Sequence, residues 1–205
     1  MGQDKANPRE GVICNLTRRP PALKDTLRLE GHYTAKLWRD GECIWEDEGT
    51  NLITDEGMHH MLDATFDKGT TTQVSQWYMS LATVTSSATD SSTGSQLSGT
   101  AAVTEMVDYD NDTNRNAINF SAAASRAVTN GTAVSFTFDS GVSAVTIVGA
   151  FICDNGTQSN AANYLWCVIN FSGGGPVVNA SDQLDVTYTV TFGTTSLAGA
   201  SDGSP

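Results

Sequence analysis

The chain has 205 residues, a formal charge of −12 and only 17% charged residues. So acidic a composition argues against general nucleic-acid binding, because phosphate contacts need lysine and arginine. No apolar run approaches the roughly 18–20 residues that span a bilayer, and the polar residues 1–10 lack the apolar core of a secretory signal, which predicts synthesis in a reducing cytoplasm.

The charge is unevenly spread. Residues 1–39 carry eight of the eleven basic residues and four acids, a net of +4, whereas residues 40–205 carry a net of −16. Residues 1–30 show no clear period and are interrupted by Pro8, Pro20 and Pro21, so they predict an extended basic arm. A basic arm on an acidic body invites attachment to another molecule. Within it, Val12, Ile13, Leu16 and Leu27 are candidate apolar anchors, and Arg18, Arg19 and Arg28 are candidate partners for acidic groups. Exposed ion pairs contribute only about 0–1 kcal/mol each, so backbone pairing and the apolar anchors are expected to dominate.

Regular structure is expected from His32. The alternation over residues 32–38, then Asp40-Gly41, then residues 43–47 predicts a hairpin with a two-residue turn, since both turn residues tolerate positive φ. A helix over residues 55–67 follows, with Thr54 as N-cap and Asp55 and Glu56 at the positive end of its dipole. Met58, Met61, Leu62 and Phe66 are expected to form its apolar stripe. Trp77, Met79 and Leu81 alternate as one face of a strand. Residues 85–104 form a Ser/Thr/Gly-rich stretch too long for an ordinary connection, expected to be mobile or an interaction element.

Further on, Ile118 with Phe120, and Val134, Phe136 and Phe138, mark inward positions of two strands. Residues 145–153 and 164–171 are apolar on both faces and predict central buried strands. The cleanest alternation is the last: Leu184, Val186, Tyr188, Val190 and Phe192 inward, threonines and polar residues outward. Phe151, Trp166, Ile169 and Tyr188 are expected to share one cluster. Together, about eight short strands and one helix predict a mainly β fold, an antiparallel β-sandwich, jelly-roll-like, over residues 31–193, with a loose tail over 194–205.

Chemistry-bearing clusters are sparse. His59-His60 with Asp55 and Asp63 lacks the third or fourth converging ligand of a metal site and reads as a solvated helix face. The stretch from Asp108 to Asp112 opens like a calcium loop but has Thr113 and Asn119 where glycine and glutamate belong, so it reads as an acidic loop balanced by Arg115. Gly173-Gly174-Gly175-Pro176 is a turn without the helix of a phosphate loop. Cys153 and Cys167 lie in apolar runs as buried hydrophobes. No catalytic residue, cofactor or metal is assigned.

Several segments carry a family likeness: the Trp38-Arg39-Asp40-Gly41 turn, Thr50-Asn51-Leu52-Ile53-Thr54-Asp55-Glu56-Gly57, Gln76-Trp77-Tyr78-Met79-Ser80-Leu81, residues 145–151 and residues 181–188. In this order they resemble virion structural proteins of tailed bacteriophages encoded near the head genes. The resemblance implies a non-enzymatic structural protein made in the host bacterial cytoplasm and carried on the virion. The basic arm and the Thr/Ser-rich acidic body favour a capsid cement, or decoration, protein on the capsid exterior. Its expected partners are the major capsid protein and other copies of itself, not nucleic acid or membrane. A head–tail connector, a tail-fibre base and a host-surface binding module are the alternatives.

Overall fold

A computed structural model of the chain describes residues 26–67, 73–86, 88–97, 103–109 and 113–195. The chain divides into two units. One, Arg28–Gly193, holds the fold described below; the other comprises residues 1–27 and 194–205 and lies almost wholly outside the described residues. Val12, Ile13, Leu16, Arg18 and Arg19 are therefore outside the description.

Strand β1 (Thr26–Arg39) begins six residues earlier than His32. Leu27 and Leu29 continue the odd-numbered register of Tyr33, Ala35 and Leu37, all three of which are buried. The backbone of Leu27 and Arg28 thus belongs to this strand; their side chains lie outside the described residues. The chain turns at Asp40 and Gly41, with φ of 53° and 82°, and returns antiparallel as β2 (Glu42–Thr50). Positive φ at both positions is the two-residue hairpin that the Asp-Gly pair predicts. One bulge interrupts the ladder at Leu37/Trp38 and leaves Ile44 as the extra residue. A Cβ at Gly41 would meet nothing within 4 Å, so Gly41→Val is opposed by conformation alone. Its thermal or chemical unfolding is expected to show a loss of about 1–2 kcal/mol.

After β3 (Leu52–Ile53) comes helix α1 (Asp55–Phe66). Its N-terminus follows the sequence: the Thr54 hydroxyl accepts the amide of Gly57 at 3.1 Å. Its buried face does not. Gly57 and His60 are buried, with Met61 and Ala64 half-buried, while Leu62 is exposed and Phe66 is 78% exposed. The apolar stripe is rotated by one residue, because Gly57 packs directly on the Trp166 backbone. A Cβ there would lie 2.7 Å from the Trp166 carbonyl, so only a glycine lets the helix sit this close.

The remaining strands are β4 (Trp77–Val84), β5 (Thr104–Met106), β6 (Asn116–Ile118), β7 (Ala127–Thr129), β8 (Val134–Thr137), β9 (Val145–Thr146), β10 (Gly149–Cys153), β11 (Leu165–Asn170), β12 (Val177–Val178) and β13 (Gln183–Thr195). One large sheet runs β2–β1–β13–β7, with β8 also on β13; the other runs β3–β11–β10–β4–β5, with β6 also on β4; β12 and β9 pair as a separate two-stranded sheet. Every pairing whose register is defined is antiparallel. Among the described residues the fold is mainly β with one α-helix, as the periodicities predict. The strands exceed the expected number because several are only two or three residues long.

The main core lies between the sheets. Tyr33, Ala35, Leu37, Phe136, Leu184, Val186 and Tyr188 of one sheet meet Met79, Leu81, Ala150, Ile152, Cys167 and Ile169 of the other. The second sheet is buried on its outer face as well. There Ala82, Phe151, Cys153, Leu165 and Val168 are covered by Leu97, Val103 and Ala162. This explains why β10 is buried at all five positions. It also corrects two expectations. Phe151 does not join Trp166, Ile169 and Tyr188; it faces the opposite side of its sheet, because successive strand residues alternate. The Ser/Thr-rich stretch after β4 covers that face: it contains a 3-10 turn, Gly94–Leu97, and buries Leu97. Nor is 145–153 one strand. Residues 145–146 pair with β12, the Ile147 amide bonds Pro176 O at 3.0 Å, and the Val148 amide bonds Ala82 O at 2.9 Å as the chain crosses into the central sheet.

Polar side chains fasten the edges. Arg39 grips Asp182 with two bonds of 2.8 and 2.7 Å. The buried Asp47 accepts Tyr33 OH and the Ser172 amide, both at 2.8 Å, and also the Ser172 hydroxyl. Burial works to raise the Asp47 carboxyl, but the bonds from Ser172, Tyr33 and the Glu48 amide prevail and hold it below its ordinary value. The bond from Arg39 does the same for Asp182. A carboxyl whose folded pKa is depressed stabilises the fold above its unfolded pKa, about 3.9, and loses that contribution as pH falls further. Stability measured against pH is therefore expected to decline below about pH 4, and less steeply in Asp47→Asn or Asp182→Asn, each of which starts from a lower plateau.

Candidate functional site: an aromatic groove beside the helix

A groove of about 340 Å³ opens where α1 meets the ends of both sheets, lined by His60, Met61 and Ala64 of the helix, by Trp77, Phe120 and Trp166, and by the aliphatic wall of Val128, Ile152 and Val190. The helix supplies three of these side chains and the others come from separate strands and a loop, so no single spacing in the sequence announces the assembly.

Trp166 is the best-anchored member. It is the extra residue of a bulge in β11, between Ile152↔Cys167 and Cys153↔Leu165. Bulges re-aim side chains in this way. Its carbonyl accepts the Thr54 amide at 3.1 Å, and its indole Nε1 donates to Tyr188 OH at 2.9 Å. The Tyr188 hydroxyl also accepts from Asn51 Nδ2 at 3.3 Å, and burial raises its pKa well above that of a free tyrosine, so it remains a neutral phenol. Trp77 stands 5.9 Å from Trp166, the rings tilted by 57°. Both tryptophans pack on the core, as expected, but each keeps part of its surface in the groove.

His60 closes the helix side. It is only 5% exposed; its ring lies 4.1 Å from that of Tyr164, tilted by 37°, and meets Trp77 edge-on at 5.8 Å. Its Nδ1 is buried without a hydrogen-bond partner. The neighbouring His59, with Asp55 and Asp63, is solvent-exposed, and among the described residues no three His, Cys, Asp or Glu converge as metal ligands.

Glu56 holds the region together from below. Its Oε2 accepts the amides of Gly94 and Leu165, each at 2.7 Å, so the first turn of α1 is tied both to the covering stretch and to β11. The sequence suggested only a dipole role for it.

The other sequence candidates lie elsewhere. Asp110 to Asp112 fall outside the described residues. Tyr109 is fully buried, bonded to Ser80 at 2.9 Å, so the Asp108 region is anchored in the core. Arg115 does not balance that acidic stretch: it is 1% exposed and paired with Glu105 by bonds of 2.8 and 2.9 Å. Cys153 and Cys167 are buried thiols, pushed up to about 11 and about 12 by burial. Cys43 is exposed.

A family model described as podophage GP4 fiber I protein gp80 matches residues 53–171, more than half of the chain. The chain belongs to this family. No curated protein matches it. The matched span takes in α1 and nearly all of the six-stranded sheet, and with them His60, Trp77, Phe120 and Trp166. Val190, Phe192, the β1–β2 hairpin and the basic arm lie outside it. Membership makes the chain a structural protein of the phage virion, in agreement with the resemblance, and the family's description names a fibre rather than a capsid coat.

Proposed function

We propose that this protein is a non-enzymatic, fibre-type component of a podophage particle, at the fibre-base station, rather than a capsid cement protein. The observation that carries the reading is the fibre-protein family match over the helix and the central sheet. In this reading the sandwich is the body. The basic arm attaches it to an acidic surface of a particle protein or of another copy, through Val12, Ile13, Leu16 and Leu27 with Arg18, Arg19 and Arg28. The arm's +4 over residues 1–39 against −16 over the body supports an intermolecular role.

Copy number and position decide it. Quantitative mass spectrometry of purified particles, with electron microscopy of particles carrying a tagged chain, is expected to find about a dozen copies or fewer at the neck or tail. Hundreds of copies spread over the shell would restore the cement reading. Deleting residues 1–25 is expected to abolish attachment to particles that lack the protein; attachment at full affinity would show that the arm plays no part.

A further inference from the structure

We propose that the open edge of β2 takes the basic arm of a second copy of this chain, residues 9–19 adding to the sheet as a strand, with Arg18 and Arg19 meeting Glu46 and Glu48. The inference deepens the attachment role given to the arm above and rests on it, but not on the fibre-base station.

Three observations carry it. The first is the edge itself. β2 ends its sheet: β1 lies on one side, and among the described residues no strand lies on the other. The Asn51 amide bonds Gly31 O at 3.1 Å, continuing the register of His32 and Thr50. Hydrogen-bonded and non-bonded pairs alternate along an antiparallel ladder. Asp47 and Gly49 therefore turn their backbone groups to β1, and Glu46, Glu48 and Thr50 turn theirs to the open side. The Asp47 carboxylate holds the Glu48 amide, so the amides of Glu46 and Thr50 and the carbonyls of all three face an incoming strand. Such a row is a template for strand addition.

The second is charge. β2 carries Glu42, Glu46, Asp47 and Glu48 and no basic residue. Asp47 points inward, bonded by Tyr33 and Ser172. Glu42, Glu46 and Glu48 are exposed, and Lys36 of β1 lies 3.1 Å from Glu46. Two such edges side by side would set acid against acid, which opposes joining β2 to β2 of another copy. A basic strand meets the opposite field.

The third is the sequence of the occupant. Between Pro8 and Pro20 lie eleven residues without proline, Arg9 to Arg19, enough to run along the nine residues of β2. They include Val12, Ile13 and Thr17, which favour strands, and Arg9, Arg18 and Arg19 against Glu10 leave them at +2. Exposed ion pairs contribute little, so backbone pairing supplies the attraction and charge chooses the strand.

The test uses the purified full-length chain in sedimentation velocity over a dilution series. Self-association with a Kd of about 10–100 μM is expected, since one added strand buries an area at the low end for specific interfaces. Deleting residues 1–25 should leave a monomer. Glu46→Lys with Glu48→Lys should weaken association about tenfold or more. Arg18→Glu with Arg19→Glu should do the same, and because it leaves the Arg28–Gly193 unit untouched it decides the matter if the β2 variant misfolds. A chain with all four changes sets a reversed arm against a reversed edge and should regain association to within about threefold of wild type, which a merely structural defect would not allow. A wild-type chain that stays monomeric, full association in either paired variant or in the deletion, or no recovery in the fourfold variant would overturn the proposal. Each result is read on the chain away from the particle, so failure here leaves the fibre reading standing, and a shell location in particles would overturn that reading without touching this one.

Discussion

Replacing Arg115 by methionine is expected to lower the stability of the Arg28–Gly193 unit by about 3–5 kcal/mol, the loss that follows when one member of a buried ion pair is removed. All five guanidinium donors of Arg115 are used. Nε and one terminal nitrogen grip Glu105; the terminal nitrogens also reach Asn155 O and Asn160 O, each at 2.9 Å, and Cys153 Sγ at 3.3 Å. Without it, a carboxylate that is only 5% exposed keeps, among the described residues, only the Ser159 amide at 2.7 Å, and two loop carbonyls lose their donors. Lysine is no substitute, because a point charge cannot make the paired fork. Denaturant unfolding should show the loss directly. Adding Glu105→Gln to Arg115→Met should recover part of it, since the stranded charge goes but the Asn155 and Asn160 carbonyls stay unpaired. A single variant of near wild-type stability would show that the pair is dispensable.

Phe151→Ala is the second large effect. The side chain is fully buried on the outer face of the central sheet, among Leu97, Val103, Leu165 and Val168. Truncating an enclosed phenylalanine costs about 3–5 kcal/mol, through lost transfer energy and the cavity left behind. For a domain of this size that corresponds to roughly 2–4 °C in Tm per kcal/mol. The cover is built from a polar-looking stretch tied down by Glu56, so proteolysis after Leu97 should accelerate in the variant as the cover loosens. Because the Arg115 guanidinium carbon lies 5.3 Å from the Phe151 ring centre, the losses from the two substitutions should not add. A loss below about 1 kcal/mol for Phe151→Ala would mean that the outer face is not a packed core.

Both predictions rest on contacts that no local pattern displays. Glu105 and Arg115 look like two charges of a polar stretch, and Phe151 looks like one more residue of an apolar run. Some of their partners come from 40 or more residues away: Arg115 binds Asn155 and Asn160, and Phe151 packs beneath Leu97. The groove is harder still to foresee. Most of its members carried a signal in the sequence only as inward strand or helix positions, and His60, weighed there with His59, Asp55 and Asp63, suggested a solvated face.

Local features, by contrast, were decided by residues next to one another. Asp40 and Gly41 set the hairpin because the backbone conformation of a two-residue turn depends on those two residues alone. Thr54 capped its helix because its hydroxyl reaches an amide three residues on. The alternation from Leu184 to Tyr188 marked β13 because successive side chains of any strand point to opposite faces. What tertiary structure alone decided was which face meets which. Rotation of α1 by one residue came from the room that Gly57 leaves at Trp166. The two-sided burial of β10 came from a cover that composition marked as loop. Burial and hydrogen-bond satisfaction are properties of three-dimensional neighbours, so a chain of alternating residues states that it has an inside without stating what lies there.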